Sequence, residues 1–321
     1  MNITVIGCGR WGSLITWYLD HIGHRVTLYG RAASPRMQAF LTTRQNDLLT
    51  LPESVALSTA LDAALESAET VIISIGSQSL RSLLGQSELQ ALRSRTVVLC
   101  MKGLEMGTGA RLSQIAAELL HPSNTVAVWL GPGHVQEFYR GIPNCMVIDS
   151  ENEDVKRRLV QSFSSDLIRF YYGGDMIGNE VGAAAKNVVG IAAGFLDGFE
   201  MSSLKGALMS RGTREVARLI KAMGGSELSA YGLCHLGDYE ATVFSPYSHN
   251  RQFGESFVRG QDYHQLAEGY YTVKALMLLG QRYGVELPIC KAVHDILYEQ
   301  AVPKDMLAGL LRRGLTEEFY D

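Results

Sequence analysis

The segment GAAAKNVVGIAAG, residues 182–194, sets one lysine, Lys186, and one amide, Asn187, in a run of glycine, alanine, valine and isoleucine. A charge in so apolar a segment is costly unless it is paired or its ionisation is shifted. On the residues alone two readings stand. The lysine snorkels from a helix edge to water, or its proton is put to use. Unusual polar residues collect in three further stretches. CMKGLEMGTG (100–109) places Lys102 just past the end of a predicted strand, where ligands of open sheets gather. LGPGHVQE (130–137) brings Gly131 and Gly133 to the end of another. HLGDYEATVFSPYSHNRQFG (235–254) holds Asp238, Thr242, Ser248, His249, Asn250 and Arg251.

A different chemistry is written at the N-terminal end. VIGCGRWG (5–12) carries Gly7, Gly9 and Gly12 in GxGxxG spacing, directly after an apolar strand and at the opening of a helix. In that context Gly7 permits the tight turn, Gly9 lets a pyrophosphate approach the backbone, and Gly12 lets helix and strand pack closely. The phosphates then sit at the helix N-terminus. The second strand ends LYGRAASPR (28–36), with no carboxylate for a ribose 2′-hydroxyl and with Arg31 and Arg36 instead. An acid would repel a 2′-phosphate and an arginine can pair with it, so NADP(H) is the expected cofactor, with NAD(H) as the alternative.

These residues need a scaffold. Short apolar runs at 3–7, 25–29, 70–76, 96–102, 125–131 and 145–149 read as strands covered on both faces, and helical stretches such as 36–46, 79–93 and 108–119 lie between most of them. This is the pattern of an α/β fold with a Rossmann-type, doubly wound parallel sheet. After FYYGGDMIG (170–178) long helical segments follow, about 179–198, 204–223, 264–283 and 289–299, and no convincing strand. The expected domains are 1–178, dinucleotide-binding, and 179–321, all-helical and substrate-binding.

Composition narrows the function. A chain of 321 residues, 46% hydrophobic, fits two domains with sizeable cores, and a net charge of −4 argues against bulk nucleic-acid binding. The five cysteines are scattered with no CxxC, which reads as reduced thiols in a cytoplasm. No signal peptide and no membrane span are expected, since no stretch reaches the roughly 18 apolar residues a span requires. His121, His134, His235 and His294 have no metal-ligand spacing, so no metal is expected. Gly190 and Gly194, four apart, read as a close helix contact, Tyr270, Tyr271 and Met277 as helix-face packing, and LLRRG (310–314) as a solvated helix end.

GxGxWG (7–12), KGLE (102–105), GP…E, AAAKNVVGIAAG (183–194), SRG (210–212), LGD…T (236–242), SxNRxxG (248–254) and EGYYT (268–272) follow one another over nearly the whole chain. In this order and spacing the chain resembles the bacterial NAD(P)-dependent glycerol-3-phosphate dehydrogenases. The resemblance implies reduction of dihydroxyacetone phosphate to sn-glycerol 3-phosphate, with Lys186 as catalytic acid and base. It implies that Lys102 touches cofactor and substrate and that Asp238 stands beside the catalytic lysine. It implies a substrate phosphate held by Asn187, Ser248, His249 and Asn250, and a cofactor lined by Arg10, Trp11, Arg31, Val135 and Glu268. An ammonium near apolar atoms and a second lysine loses proton affinity, so such a lysine can exchange a proton near neutral pH. A homodimer is a further implication of the resemblance.

The chain departs from the family pattern at the substrate end. Gly133 stands where Ser or Thr is usual, His249 where Arg is usual, and Tyr239 where an aliphatic residue usually follows the aspartate; residues 202–212 lack the usual NAR stretch. Arg251 is a candidate for the fixed charge that His249 lacks. Two alternatives therefore stand beside the dehydrogenase: a paralogous NADP(H)-dependent reductase of another small phosphorylated or acidic carbonyl compound, and a non-catalytic NADP(H)-binding protein.

Overall fold

A computed structural model describes residues 1–312 and residue 318. The chain divides into two compact units, residues 1–101 with 112–176, and residues 102–111 with 177 onward. The main junction lies within two residues of the expected boundary at 178. The loop 102–111 joins the second unit, although its place in the chain put it in the first.

The first unit is built on eight strands: β1 (Asn2–Ile6), β2 (Arg25–Tyr29), β3 (Ala56–Ser58), β4 (Thr70–Ile73), β5 (Thr96–Leu99), β6 (Thr125–Leu130), β7 (Asn144–Asp149) and β8 (Ile168–Tyr172). They form one sheet in the order β3-β2-β1-β4-β5-β6-β7-β8. Every residue of β4 and β5 is buried, as helices on both faces require. Those helices are α1 (Arg10–His21), α2 (Pro35–Thr43), α3 (Leu61–Leu65), α4 (Leu80–Leu84), α5 (Ser87–Gln90), α6 (Leu112–Leu119), α7 (Val135–Tyr139) and α8 (Glu153–Phe163). Tyr18, Trp129 and Phe163 are among the largest side chains sealed in the core.

The sheet is parallel except at one pair. β6 and β7 run antiparallel, with Trp129 opposite Ile148, within a sheet that is otherwise the expected parallel one. A segment of only about a dozen residues separates these strands, and its one helix, α7, has five residues. That is near the lower limit for a parallel crossover. Two strands were not anticipated. β3 is three residues long and carries too little pattern. β8 holds the sheet edge with Ile168 and Phe170 buried and Arg169, Tyr171 and Tyr172 exposed, an alternation that a search for continuous apolar runs passes over. The helix expected over 79–93 is two short ones, broken at Gly85 and Gln86.

The second unit is helical: α9 (Met176–Gly198), α10 (Lys205–Ala222), α11 (His249–Val258), α12 (Glu268–Tyr283), α13 (Pro288–Tyr298) and α14 (Pro303–Leu311). α9 is buried along most of its length, and Ala184, Val188, Ile191 and Phe195 enter the unit's core. Its glycines are contact points. A Cβ at Gly194 would overlap the carbonyl oxygen of Arg251, and one at Gly254 would overlap that of Ile191, so α9 and α11 meet backbone to backbone there, while a Cβ at Gly190 would meet the side chains of Thr242 and Asn250. No described helix is long and apolar enough to cross a membrane. Within 310–314, residues 313 and 314 lie outside the described residues.

Candidate active site

In the first unit the sheet order reverses between β1 and β4, and the glycine turn begins where β1 ends. Gly7 has φ of 117°, and a Cβ there would overlap the carbonyl oxygen of Ser74. A Cβ at Gly12 would overlap the carbonyl oxygen of Gly7. Gly9, the N-cap of α1, differs: the nearest atom to a Cβ there is Arg36 Nη1, at 3.7 Å. Gly7 and Gly12 are thus required by packing, whereas a Cβ at Gly9, over a helix N-terminus, would make only an ordinary contact with Arg36. That cradle fits the pyrophosphate of a dinucleotide.

Arg10 and Trp11 follow on the first turn of α1, and the Trp11 ring lies 6.0 Å from that of Phe138. Arg31 is exposed just past β2. Val135 opens α7 and is buried. Gly131 and Gly133 both have positive φ, 130° and 133°. A Cβ at Gly133 would overlap the Phe138 ring. A serine or threonine at 133 would be strained at that φ and would have to displace the Phe138 ring.

The second unit holds the charged cluster. Lys186 projects from α9, where it is 7% exposed. Its Nζ lies 3.0 Å from Asp238 Oδ2 and donates to Thr242 Oγ1 at 2.7 Å. Lys102 Nζ donates to the same carboxylate oxygen at 2.7 Å. Asp238 closes a 3₁₀ turn, Leu236–Asp238, and a single π turn, Glu240–Phe244, carries Thr242. Thr242 Oγ1 also donates to the Asp238 carbonyl at 2.6 Å, which ties the two turns together. π turns are frequent at functional sites because the extra residue re-aims side chains.

Asn187, next on α9, donates to the Lys102 carbonyl at 2.8 Å, and Asn250 donates to Asn187 Oδ1 at 3.0 Å. Asn250 Oδ1 in turn accepts the backbone N–H of Gly269, beside Glu268 at the start of α12. The loop 102–111 and helices α9, α11 and α12 are thus linked by a chain of amides. Gly269 permits this approach, since a Cβ there would come within 2.6 Å of the Asn187 carbonyl oxygen.

Electrostatics mark Lys186. Burial lowers its proton affinity, Asp238 raises it and Lys102 lowers it again, and the balance places its pKa at about 8. One carboxylate serves two ammonium groups, so the cluster carries a net positive charge in a buried place. That environment suits an anionic substrate and an amine that releases its proton near neutral pH.

The phosphate candidates separate. Ser248 is the N-cap of α11 and accepts the Arg251 N–H at 3.3 Å. His249 opens α11, with Nδ1 2.6 Å from the Tyr263 hydroxyl. Arg251 is turned elsewhere: its guanidinium meets Asp197 at 2.7 Å, Glu255 at 3.0 Å and the Ser245 carbonyl at 3.1 Å. Lys205 reaches the same Asp197 oxygen at 2.7 Å. Arg251 is thus engaged in an ion-pair network with Asp197, Glu255 and, through Asp197, Lys205. Two neighbours of Asp238 enter the site's surroundings, Tyr239, which the sequence marks as a departure from the family pattern, and His235, which it does not. His235 lacks metal-ligand spacing, and its place three residues before Asp238 is the feature of the sequence that points to it.

Known proteins resemble the chain throughout. The sequence pattern of the NAD-dependent glycerol-3-phosphate dehydrogenase N-terminus matches residues 2–156, and that of its C-terminus matches residues 175–308. Glycerol-3-phosphate dehydrogenase [NAD(P)+] of Prosthecochloris aestuarii is 32% identical over 98% of both chains. That of Nitrosomonas europaea is 35% identical, again over 98% of each. The crystal structure of glycerol-3-phosphate dehydrogenase from Coxiella burnetii superposes with a TM-score of 0.89 at 27% identity, covering 97% of this chain and 99% of that one. With both of its sequence patterns present and full-length relatives above 30% identity, the chain belongs to the NAD-dependent glycerol-3-phosphate dehydrogenase family.

Proposed function

We propose that this protein reduces dihydroxyacetone phosphate to sn-glycerol 3-phosphate with NAD(P)H, and runs the reverse reaction with NAD(P)+. The observation that carries the reading is the buried Lys186, 3.0 Å from Asp238, with its pKa lowered to about 8. Bound NAD(P)H supplies the hydride that adds to the carbonyl carbon. Lys186 Nζ gives its proton to the carbonyl oxygen as that oxygen gains negative charge. Lys102, the more exposed of the two lysines, adds a fixed positive charge that favours the developing alkoxide. Asp238 holds both ammonium groups and offsets the cost of burying them. Asn187, Asn250, Ser248 and His249 are the candidates for the substrate phosphate.

The glycine turn would hold the pyrophosphate, with Arg10, Trp11, Val135 and Glu268 along the cofactor. Arg31 and Arg36 stand where β2 ends without a carboxylate, so NADP(H) is the preferred cofactor in this reading. The cytoplasm is the proposed location, on the scattered cysteines, and a homodimer the proposed assembly, on family likeness.

One observation favours a second reading. His249 is paired with Tyr263 and Arg251 with acids, so no guanidinium from this stretch is left for a phosphate. A paralogous reductase of another small acidic carbonyl compound would suit that pocket. The experiment is a panel of carbonyl compounds followed by NADPH and NADH absorbance. Steady oxidation with dihydroxyacetone phosphate, and a higher kcat/KM for NADPH than for NADH, is the expected result. Turnover only with other carbonyl compounds transfers the protein to the second reading, and cofactor binding without turnover removes both.

A further inference from the structure

Asp238 must hold two lysines through one oxygen. Its Oδ2 takes both ammonium groups, while its Oδ1 is buried and has no hydrogen-bond partner among the described residues. Nothing on the carboxylate's second oxygen fixes its direction, so the turn around it must. The residue at each end of that turn is anchored. His235, fully buried, donates from Nδ1 to the Gly182 carbonyl at 2.8 Å. Its Nε2 accepts the Tyr239 hydroxyl at 2.8 Å. Gly182 lies one helical turn before Lys186 on α9, so its carbonyl is the one the Lys186 N–H faces in an α-helix.

The packing is shaped for this pair. A Cβ at Gly182 would come within 3.0 Å of His235 Cβ, and one at Gly212 within 3.3 Å of the Tyr239 hydroxyl. The Tyr239 ring packs with Val189, Ala193 and Val243, which places it against α9 as well. The bonding pattern fixes one neutral tautomer, since Nδ1 must carry the proton and Nε2 must accept. Burial agrees with it, lowering the His235 pKa to about 4, and Tyr239 is held neutral by the same burial.

We propose that His235 and Tyr239 are positioning residues, a clamp that locks the Asp238 turn onto the helix of Lys186 and thereby sets the proton affinity of that lysine. The proposal rests on the reading of Lys186 as the proton donor. The charged groups facing Lys186 are Asp238 from its turn and Lys102 from the 102–111 loop, with neutral His235 and Tyr239 behind Asp238. Asp238 raises the Lys186 pKa and Lys102 lowers it. A loosened Asp238 therefore lets that pKa fall.

The test is the pH profile of kcat for ketone reduction in wild type, Tyr239→Phe, His235→Gln and His235→Leu. Tyr239→Phe keeps the ring and removes the donor to His235. Glutamine has one acceptor and one donor atom, so it can stand in for the neutral histidine. The expected result is a folded Tyr239→Phe whose alkaline limb moves to lower pH by about half a unit or more. KM for the cofactor should stay unchanged, and His235→Gln should lie closer to wild type than His235→Leu does. A Tyr239→Phe limb that coincides with the wild-type limb overturns the clamp and leaves the Lys186 reading intact. A wild-type profile with no alkaline limb, together with an active Lys186→Met, overturns the Lys186 reading and the clamp with it. If Tyr239→Phe does not fold, the two His235 variants decide by the same comparison of limbs.

Discussion

The glycine turn of the first unit and the lysine cluster of the second solve opposite problems. At the turn, side chains are removed: Gly7 and Gly12 have no room for a Cβ, and one at Gly9 would make only an ordinary contact with Arg36. Recognition of a pyrophosphate there would use backbone N–H groups and a helix N-terminus, so no protein charge would have to be buried. In the cluster, charges are brought in: Lys186, Lys102 and Asp238 share one buried corner, and each ammonium is compensated by Asp238 while the two lysines oppose each other. A Cβ at Gly7 or Gly12 would overlap a carbonyl oxygen, whereas the cluster depends on one carboxylate opposing two ammonium groups. Cofactor affinity and proton transfer should therefore be separable by mutation.

Lys186→Met offers the largest separation. It keeps the volume and removes the charge, and Asp238 keeps Lys102 as its partner. We expect kcat to fall by roughly two orders of magnitude or more, the scale of a lost general acid. Cofactor affinity and folding should be retained, checked by NADPH fluorescence titration and circular dichroism. Near-normal kcat in this variant would end the catalytic role of Lys186.

Gly12→Ala tests the other side. One methyl group forced against the Gly7 carbonyl should cost about 1–3 kcal/mol, the usual scale of overpacking. The expected outcome is a lower Tm and a Kd for NADPH raised about tenfold or more, while the Lys186 cluster is undisturbed. A variant with wild-type Tm and Kd would show that the turn can shift, and the contrast between the two regions would weaken.

The smallest effect is expected at His249. Arginine is charged at every working pH and can grip a phosphate with two parallel hydrogen bonds, whereas histidine is fully charged only when protonated. His249→Arg should lower KM for dihydroxyacetone phosphate a few-fold, most clearly at the alkaline end of a series from about pH 6 to pH 8.5. Identical KM profiles in the two proteins would place the phosphate away from His249 and favour another substrate.

The fold was legible to different depths in these two regions, for physical reasons. GxGxxG after an apolar strand is local information, and the turn it specifies appears at Gly7, Gly9 and Gly12. The strands covered on both faces announced themselves by continuous apolar runs, and the edge strand β8 and the three-residue β3 did not. The lysine in an apolar helix flagged itself as an anomaly, but its partners lie far along the chain. Lys102 and Asp238 stand 136 residues apart, and Lys186 and Thr242 stand 56 apart. Family likeness sets Asp238 beside Lys186, while the bonds of Lys102 to Asp238 and of Lys186 to Thr242 become visible only in the folded chain. The candidacy of Arg251 rests on its place two residues after His249, and its acids Asp197 and Glu255 become visible only in the folded chain. The His235–Tyr239 bond was hidden for a related reason: two polar residues four apart in an irregular turn have no pattern until the turn is seen.

The central claim is that Lys186 carries the transferred proton with a pKa near 8. It is tested most directly by measuring kcat against pH in both directions on the same enzyme. Reduction needs the protonated amine, so kcat should be level at lower pH and fall as pH rises through about 8. Oxidation of sn-glycerol 3-phosphate needs the neutral amine, so kcat should rise through the same region. Both limbs should be missing from the residual activity of Lys186→Met. Profiles that are flat in both directions, or that bend in the same sense, would contradict the account.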